Sequence, residues 1–194
     1  MAFTGKKERG SGNAIPERED LDRAYQWGLE DLFEDRAQWE RAYEETGPLM
    51  DSLEPFSGTL ASSPSRLLEC LKLRDRLGEL TSRVFAYAHM KSHEDTRDPD
   101  GQAIAARATT LAAAAARSGA FITPEILSIP VETLSLFLER EEGLGLYRFF
   151  LEELQRKRAH VLSQEEEGLL ASSTELAHAP ENIFSMLTNA DMTF

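Results

Sequence analysis

Cysteine, long apolar runs and an apolar leader are scarce or absent in this sequence, and each absence argues against a class of protein. The single cysteine, Cys70, cannot form a disulfide within the chain, which favours a reducing compartment. No run of 18 apolar residues occurs, so no membrane-spanning helix is predicted. Residues 1–12 are basic but lack the apolar core of a signal peptide. We therefore expect a soluble, cytoplasmic protein.

Positive charge is also in short supply. Asp and Glu number 34 against 21 Lys and Arg, which gives a formal net charge of −13 at pH 7. Such a field repels phosphate backbones and anionic lipid surfaces, so neither nucleic acid nor a membrane is an expected partner. Valine is scarce, alanine and leucine dominate the apolar residues, and 28% of residues are charged. This composition is typical of stacked amphipathic helices and predicts an all-α fold.

The common catalytic and phosphate-binding motifs are missing. No serine lies in a Gly-x-Ser-x-Gly turn, and neither common spacing of a Gly-rich phosphate loop occurs. Two carboxylate pairs, Asp95 with Asp98 and Glu141 with Glu142, are interpreted as solvated helix ends and loops. Cys70 stands at an apolar-periodic helix position, which predicts a buried and inert thiol.

Two histidines have a spacing that zinc sites use. His89 and His93 are four residues apart on a predicted helix and share one face. A metallopeptidase helix needs Glu directly after the first His, where this chain has Met90. Reading from His93, Glu94 fits, but Arg97 stands where the second His is required. With no third ligand in view, a packed or surface pair of histidines is the favoured interpretation.

Polar residues near the end of the chain are also interpreted as structural. His160 and His178 lie near predicted helix ends, where an imidazole interacts with free carbonyls. Ser163 and Glu166 form a capping box, and the acidic run Glu165–Glu167 belongs to the same helix start rather than to a cation site. The sequence therefore offers no catalytic, cofactor-binding or metal-binding residue.

Turn and capping signals divide the chain into helices. Residues 1–20, rich in Gly, Ser and charge, are expected to form a flexible arm. A helix is predicted over about Arg36–Leu53, and Ser63-Pro64 starts a long helix whose broad apolar face makes it central. Asp98-Pro99-Asp100-Gly101 is interpreted as a turn followed by the start of an alanine-rich helix, which Gly119 ends or loosens.

Shorter elements follow, and we divide the chain into a helical domain over 21–120 and a helical segment over 121–194. The signals after residue 120 are helix starts at Thr123-Pro124, Ile129-Pro130 and Ala179-Pro180, breaks at Gly143 and Gly145, and an amphipathic element from Leu146 to about His160.

Four motifs, in this order and spacing, resemble the N-terminal part of oligoendopeptidase F. The resemblance covers about residues 22–194 and gains its specificity from the combination of motifs. The motifs are WGLEDLF at Trp27–Phe33, YAHM at Tyr87–Met90 followed by Asp95-Thr96, Leu162–Leu170 with its three glutamates, and LTNADMTF at Leu187–Phe194.

The resemblance implies the multi-helix N-terminal region of a thimet-oligopeptidase-like fold. It also implies a cytoplasmic, zinc-dependent endopeptidase whose internal channel admits short peptides and excludes folded proteins. The family's zinc helix carries His-Glu-x-x-His and a further Glu as third ligand. None of these positions occurs in this sequence, and we expect them C-terminal to it.

We therefore expect a substrate-restricting part of a peptidase that is inactive alone. Zinc would belong to the full-length enzyme, short peptides would be its substrates, and the C-terminal catalytic region would be the partner of this chain. The alternative is a stand-alone helical interaction or scaffold module that has lost the catalytic region.

Overall fold

The structure, a computed structural model, describes residues 21–158 together with Pro180, Ile183 and Phe184. Every regular element in this part of the chain is helical, which confirms the all-α prediction. The α-helices are α1 Arg36–Leu53, α2 Pro64–Glu94, α3 Pro99–Ser118, α4 Ile122–Ser128, α5 Val131–Arg140 and α6 Arg148–Lys157. Short 3-10 helices occupy Arg23–Tyr25, Leu29–Asp31, Glu54–Phe56 and Glu142–Tyr147.

α1 and α2 begin where local signals place them, whereas α3 begins at Pro99, inside the predicted turn over residues 98–101. Asp35 caps α1, which covers the predicted range even though Pro48, inside it, has no N–H for the helix ladder. The Ser63 hydroxyl accepts the amide of Arg66 at 3.1 Å and so caps α2. The Asp98 carboxylate caps α3 through two amides at 3.0 and 3.1 Å, and Gly119 ends that helix.

Two later helix starts differ from the prediction. α4 begins at Ile122 rather than at Thr123-Pro124. A proline is tolerated anywhere in the first turn, because backbone N–H groups there have no partner within the helix, and the helix can therefore start before Pro124. α6 begins at Arg148 rather than at Leu146, which lies in the preceding 3-10 helix. That tighter turn brings Leu144 into the core with none of its surface exposed.

Two glycines occupy positions where a side chain would strain the backbone or crowd a neighbouring helix. Gly58 has a φ of 76°, in the left-handed region, and turns the chain between α1 and α2. Gly101 lies in the first turn of α3, where a Cβ would stand 3.2 Å from the Cα of Ser92. The absence of a side chain therefore permits close contact between α3 and the end of α2.

The core consists of two apolar clusters that share α2. The Leu71 cluster joins the end of α1 and the first half of α2 to the α4–α6 region. The Trp39 cluster joins α1, the second half of α2, α3 and the segment before α1. Met50 and Leu80 pack against both clusters, so α2 is the central helix, as predicted. The fully buried members of the Leu71 cluster include Leu53, Leu60, Leu67, Leu71, Ile126, Ile129, Leu144 and Leu151.

The predicted domain boundary at residue 120 stays a prediction. The Leu71 cluster contains residues from both sides of it, such as Leu71 and Ile126. Of the predicted helix after Ala179, the described residues Pro180, Ile183 and Phe184 are helical. The arm over 1–20 and the motif at Leu162–Leu170 lie outside the described residues.

No single helix within the described residues is long and apolar enough to cross a membrane. The segments Pro99–Ser128 and Val131–Arg140 pass that test together on length and composition, and they are bent by 106° relative to each other.

Trp39 is the largest fully buried side chain and connects α1 to α2. Its indole Nε1 donates a hydrogen bond to the carbonyl oxygen of Val84 at 2.9 Å. Because an unpaired buried N–H is costly, this bond fixes the rotation of α2 relative to α1.

We predict that Trp39→Phe lowers the free energy of unfolding by about 1–3 kcal/mol, because it removes this hydrogen bond and leaves a cavity. Urea denaturation followed by circular dichroism measures the change. The matched control is Trp27→Phe, at a side chain that is 46% exposed, and it should shift the value by less than about 0.5 kcal/mol. Equal effects of the two substitutions would contradict this account.

Candidate functional site

The histidine pair lies on the outer side of α2 next to α3. The His89 ring stacks on Phe85 with centroids 3.9 Å apart, and its centroid is 6.3 Å from that of His93. His89 Nε2 lies 3.2 Å from Thr109 Oγ1. The Thr109 hydroxyl also lies 2.9 Å from the carbonyl oxygen of Ala105, to which it can donate while it accepts a hydrogen bond from the Nε2–H tautomer of His89. Burial, and then the charge of His93, lower the pKa of His89.

A zinc centre needs three or four ligands that converge on one point. Among the residues that the structure describes, no three His, Cys, Asp or Glu side chains converge to hold a metal ion.

The remaining candidate groups have structural roles where they are described. Cys70 has no exposed surface, and burial raises the pKa of its thiol to about 11. Asp95 accepts hydrogen bonds from the Arg97 side chain, which lower the pKa of that carboxyl. Glu141 caps the 3-10 helix over Glu142–Tyr147 through the amide of Gly143 at 3.4 Å. His160, His178 and Glu165–Glu167 lie outside the described residues.

Two of the motifs that resemble the peptidase family pack against each other. Phe33, the last residue of WGLEDLF, meets Tyr87, the first of YAHM, edge to face at a centroid distance of 5.6 Å and an angle of 84°. Tyr87 in turn stacks against Trp39 at 6.5 Å. Leu29 is also buried in this Trp39 cluster. These motif residues therefore hold the segment before α1 against α2.

An ion network above Trp39 is the feature that sequence reasoning missed. Arg107 on α3 binds Glu40 on α1 through two parallel hydrogen bonds of 2.8 and 2.7 Å, and Arg36 binds Glu40 at 2.7 and 2.9 Å. The Arg107 guanidinium lies over the rings of Tyr43 at 4.4 Å and Trp39 at 5.1 Å. The hydrogen bonds from Arg107 are the main cause that lowers the pKa of Glu40 to about 2, against the opposing effect of burial.

Part of this network carried a local signal. Arg36 and Glu40 are four residues apart on α1, the spacing of a helical ion pair. The partner Arg107 is 67 residues away in sequence, so its contribution depends on the packing of α3 against α1.

The surface of the described part carries several recesses. One of about 330 Å³ lies between α2 and α3, with small residues such as Gly78, Ala112 and Ala116 in its lining. A second, of about 350 Å³, lies between α5 and α6. Two others, of about 350 and 200 Å³, lie beside Met50 and beside Lys91.

Comparison with known proteins shows which protein family this chain is similar to. A family profile described as Oligopeptidase F matches residues 125–194. Oligopeptidase PepF of Bacillus subtilis (strain 168) is 37% identical over 187 residues, which are 96% of this chain and 28% of that protein. Group B oligopeptidase PepB of Streptococcus agalactiae is 34% identical over 177 residues, 91% of this chain and 30% of that protein. The chain thus spans less than a third of the length of these curated relatives.

Solved structures agree with the sequence relatives. Oligoendopeptidase-F from Enterococcus faecium superposes with a TM-score of 0.68 at 31% identity, over 82% of this chain and 32% of that one. A structure from Chlamydophila abortus, at 21% identity and a TM-score of 0.70 over 93% of this chain and 31% of that one, supports the fold alone. The fold is that of an all-α region of a peptidase. More closely, the chain corresponds to the N-terminal region of oligoendopeptidase F, which confirms the resemblance of its motifs.

The ion network predicts an acid-sensitive contribution to stability. The pKa of Glu40 is lowered in the folded chain, so the stabilisation is complete above the ordinary value of 4.5 and is lost as the pH falls toward about 2. The difference in unfolding free energy between wild type and Glu40→Gln should therefore shrink over this range. Urea denaturation at a series of pH values measures it.

The matched control is Glu45→Gln on the same helix. Glu45 pairs with Arg76 at 2.8 Å, but both side chains are more than half exposed, at 52% and 66%, so little stability should depend on this pair. A Glu40→Gln difference that persists unchanged at low pH would contradict the proposed role of the network.

Cys70 gives a direct check of the Leu71 cluster. Because the thiol is buried and its pKa is raised to about 11, it should stay protonated and resist a disulfide reagent near pH 8 in the folded chain. It should react rapidly once urea unfolds the protein. As the chain has a single cysteine, the released chromophore counts only this thiol. Fast labelling under native conditions would be incompatible with the packing described above.

Proposed function

We propose that this chain is the N-terminal, substrate-restricting part of an oligoendopeptidase F-like zinc metalloendopeptidase that hydrolyses short peptides. The observation that carries the proposal is the 37% identity with Oligopeptidase PepF of Bacillus subtilis over 96% of the chain. Because the chain spans 28% of that relative, we assign peptide cleavage to the part of the enzyme that this chain does not include.

In this proposal the chain forms a wall of the substrate channel and supplies no catalytic group. A wall that limits substrate size must keep its form when a peptide enters. The long helix α2 is packed into both apolar clusters and is joined to α1 through Trp39, while Arg107 joins α3 to α1. These contacts give the three helices the rigidity that such a wall needs. Zinc would be held by residues outside this chain, and the enzyme would act in the cytoplasm, where the single reduced thiol is compatible with the redox conditions.

The test is a chimera in which this chain replaces the corresponding segment of the Bacillus subtilis relative. We expect the chimera to cleave short fluorogenic peptides in the presence of zinc and to leave folded proteins intact. The isolated chain should show no turnover under the same conditions. The matched control is the relative with that segment deleted.

Two results would contradict the proposal. Metal-dependent cleavage by the pure isolated chain would show that the catalytic groups lie in this chain. A chimera that is folded by circular dichroism but does not cleave peptides would show that the chain is not an equivalent part of the enzyme. The second result would favour a stand-alone helical interaction module.

A further inference from the structure

The α5–α6 region exposes large apolar side chains that do not pack into the core. Four large apolar side chains of α5, α6 and the 3-10 helix between them point away from the Leu71 cluster and are 46–87% exposed. We refer to these as the outer apolar residues, and they are Val131 at 49%, Leu136 at 46%, Leu146 at 87% and Phe149 at 76%.

The segment that leads into α6 is apolar on two sides. Its inner side places Leu144 and Leu151 in the Leu71 cluster, both with no exposed surface. Its outer side presents Leu146 and Phe149, which are three residues apart and therefore neighbours across one turn. A helix that faces water on its outer side normally carries polar residues there. Apolar residues on both sides indicate a second packing partner.

The groove between α5 and α6 lies next to one of the outer apolar residues. Val131 lines this groove together with Leu134, Leu138 and Gln155. The amide nitrogen of Gln155 donates to the carbonyl of Ile126 at 3.3 Å, which joins α6 to α4 at the base of the groove.

The length of the relatives supplies the occupant that we assign to this surface. All four outer apolar residues lie within 125–194, the range matched by the family profile. The relative from Bacillus subtilis has most of its length outside the region that aligns with this chain. Surfaces that are apolar in an isolated segment are commonly interfaces in the complete protein.

We propose that the outer apolar residues and the α5–α6 groove dock against the part of the oligoendopeptidase that this chain does not include. The inference rests on the proposed function and names the interface that it requires. The partner surface presents apolar side chains to Leu146 and Phe149. Competing occupants are a second copy of this chain and the chain's own residues 159–194.

The experiment uses the double variant Leu146→Asp/Phe149→Asp in the full 194-residue chain and in the chimera with the Bacillus subtilis relative. The matched control is Leu21→Asp/Tyr25→Asp, which also changes one leucine and one aromatic residue, at 38% and 82% exposure. In the isolated chain neither variant should change the urea midpoint. In the chimera the first variant should lower the melting temperature and reduce peptide cleavage by roughly tenfold or more, and the control should do neither.

Each competing outcome is distinguishable. If the first variant destabilises the isolated chain as much as the chimera, residues of the chain itself cover the surface, and the proposal is wrong. If sedimentation shows a dimer that only this variant dissociates, while the chimera is unaffected, the occupant is a second copy. An inactive but folded chimera would count against the proposed function, and its melting temperature would still test the docking surface.

Discussion

Burial of the Trp39 indole is the constraint on which the packing of α1, α2 and α3 depends. The ring has no exposed surface, and its N–H is satisfied by the carbonyl of Val84. Rotating α2 by one residue, about 100°, would remove that acceptor and would also displace Tyr87 from the ring. A single buried donor therefore selects one rotation of the central helix from several that apolar packing alone would allow.

The ion network depends on the same indole. Arg107 reaches Glu40 across the Trp39 and Tyr43 rings, so its guanidinium is held in position by the aromatic surface below it. An exposed ion pair between mobile side chains contributes little, because ordering the side chains offsets the attraction. Here the apolar contact supplies that order, and the carboxylate then responds with a pKa of about 2. The ion pair between Arg107 and Glu40 therefore depends on the packing of the aromatic side chains beneath it.

Helix starts that depend on a few neighbouring residues could be predicted from the sequence, whereas contacts between distant segments could not. Ser63 acts on the amide of Arg66, three residues away, so the start of α2 could be predicted from a short window. The start of α3 was predicted after the turn over residues 98–101, because a capping aspartate before a proline has the same local pattern as a turn. The contact between Arg107 and Glu40 spans 67 residues and requires the helices to be packed first. Motif reasoning recognised Trp27–Phe33 and Tyr87–Met90 as belonging together, and the contact of Phe33 with Tyr87 gives the physical reason. The start of α6 was misplaced because apolar periodicity cannot distinguish a 3-10 turn from the helix that follows it.

The two apolar clusters place different demands on what surrounds them. The buried residues of the Trp39 cluster all come from α1, α2, α3 and the segment before α1, which pack against one another. The Leu71 cluster is closed on its inner side by Leu144 and Leu151, while the same short segment presents Leu146 and Phe149 outward. A chain that only needed to complete its own core would gain nothing from apolar residues on that outer side. Together with Val131, which lines the α5–α6 groove, they form the face that the proposed docking to the rest of the enzyme would use.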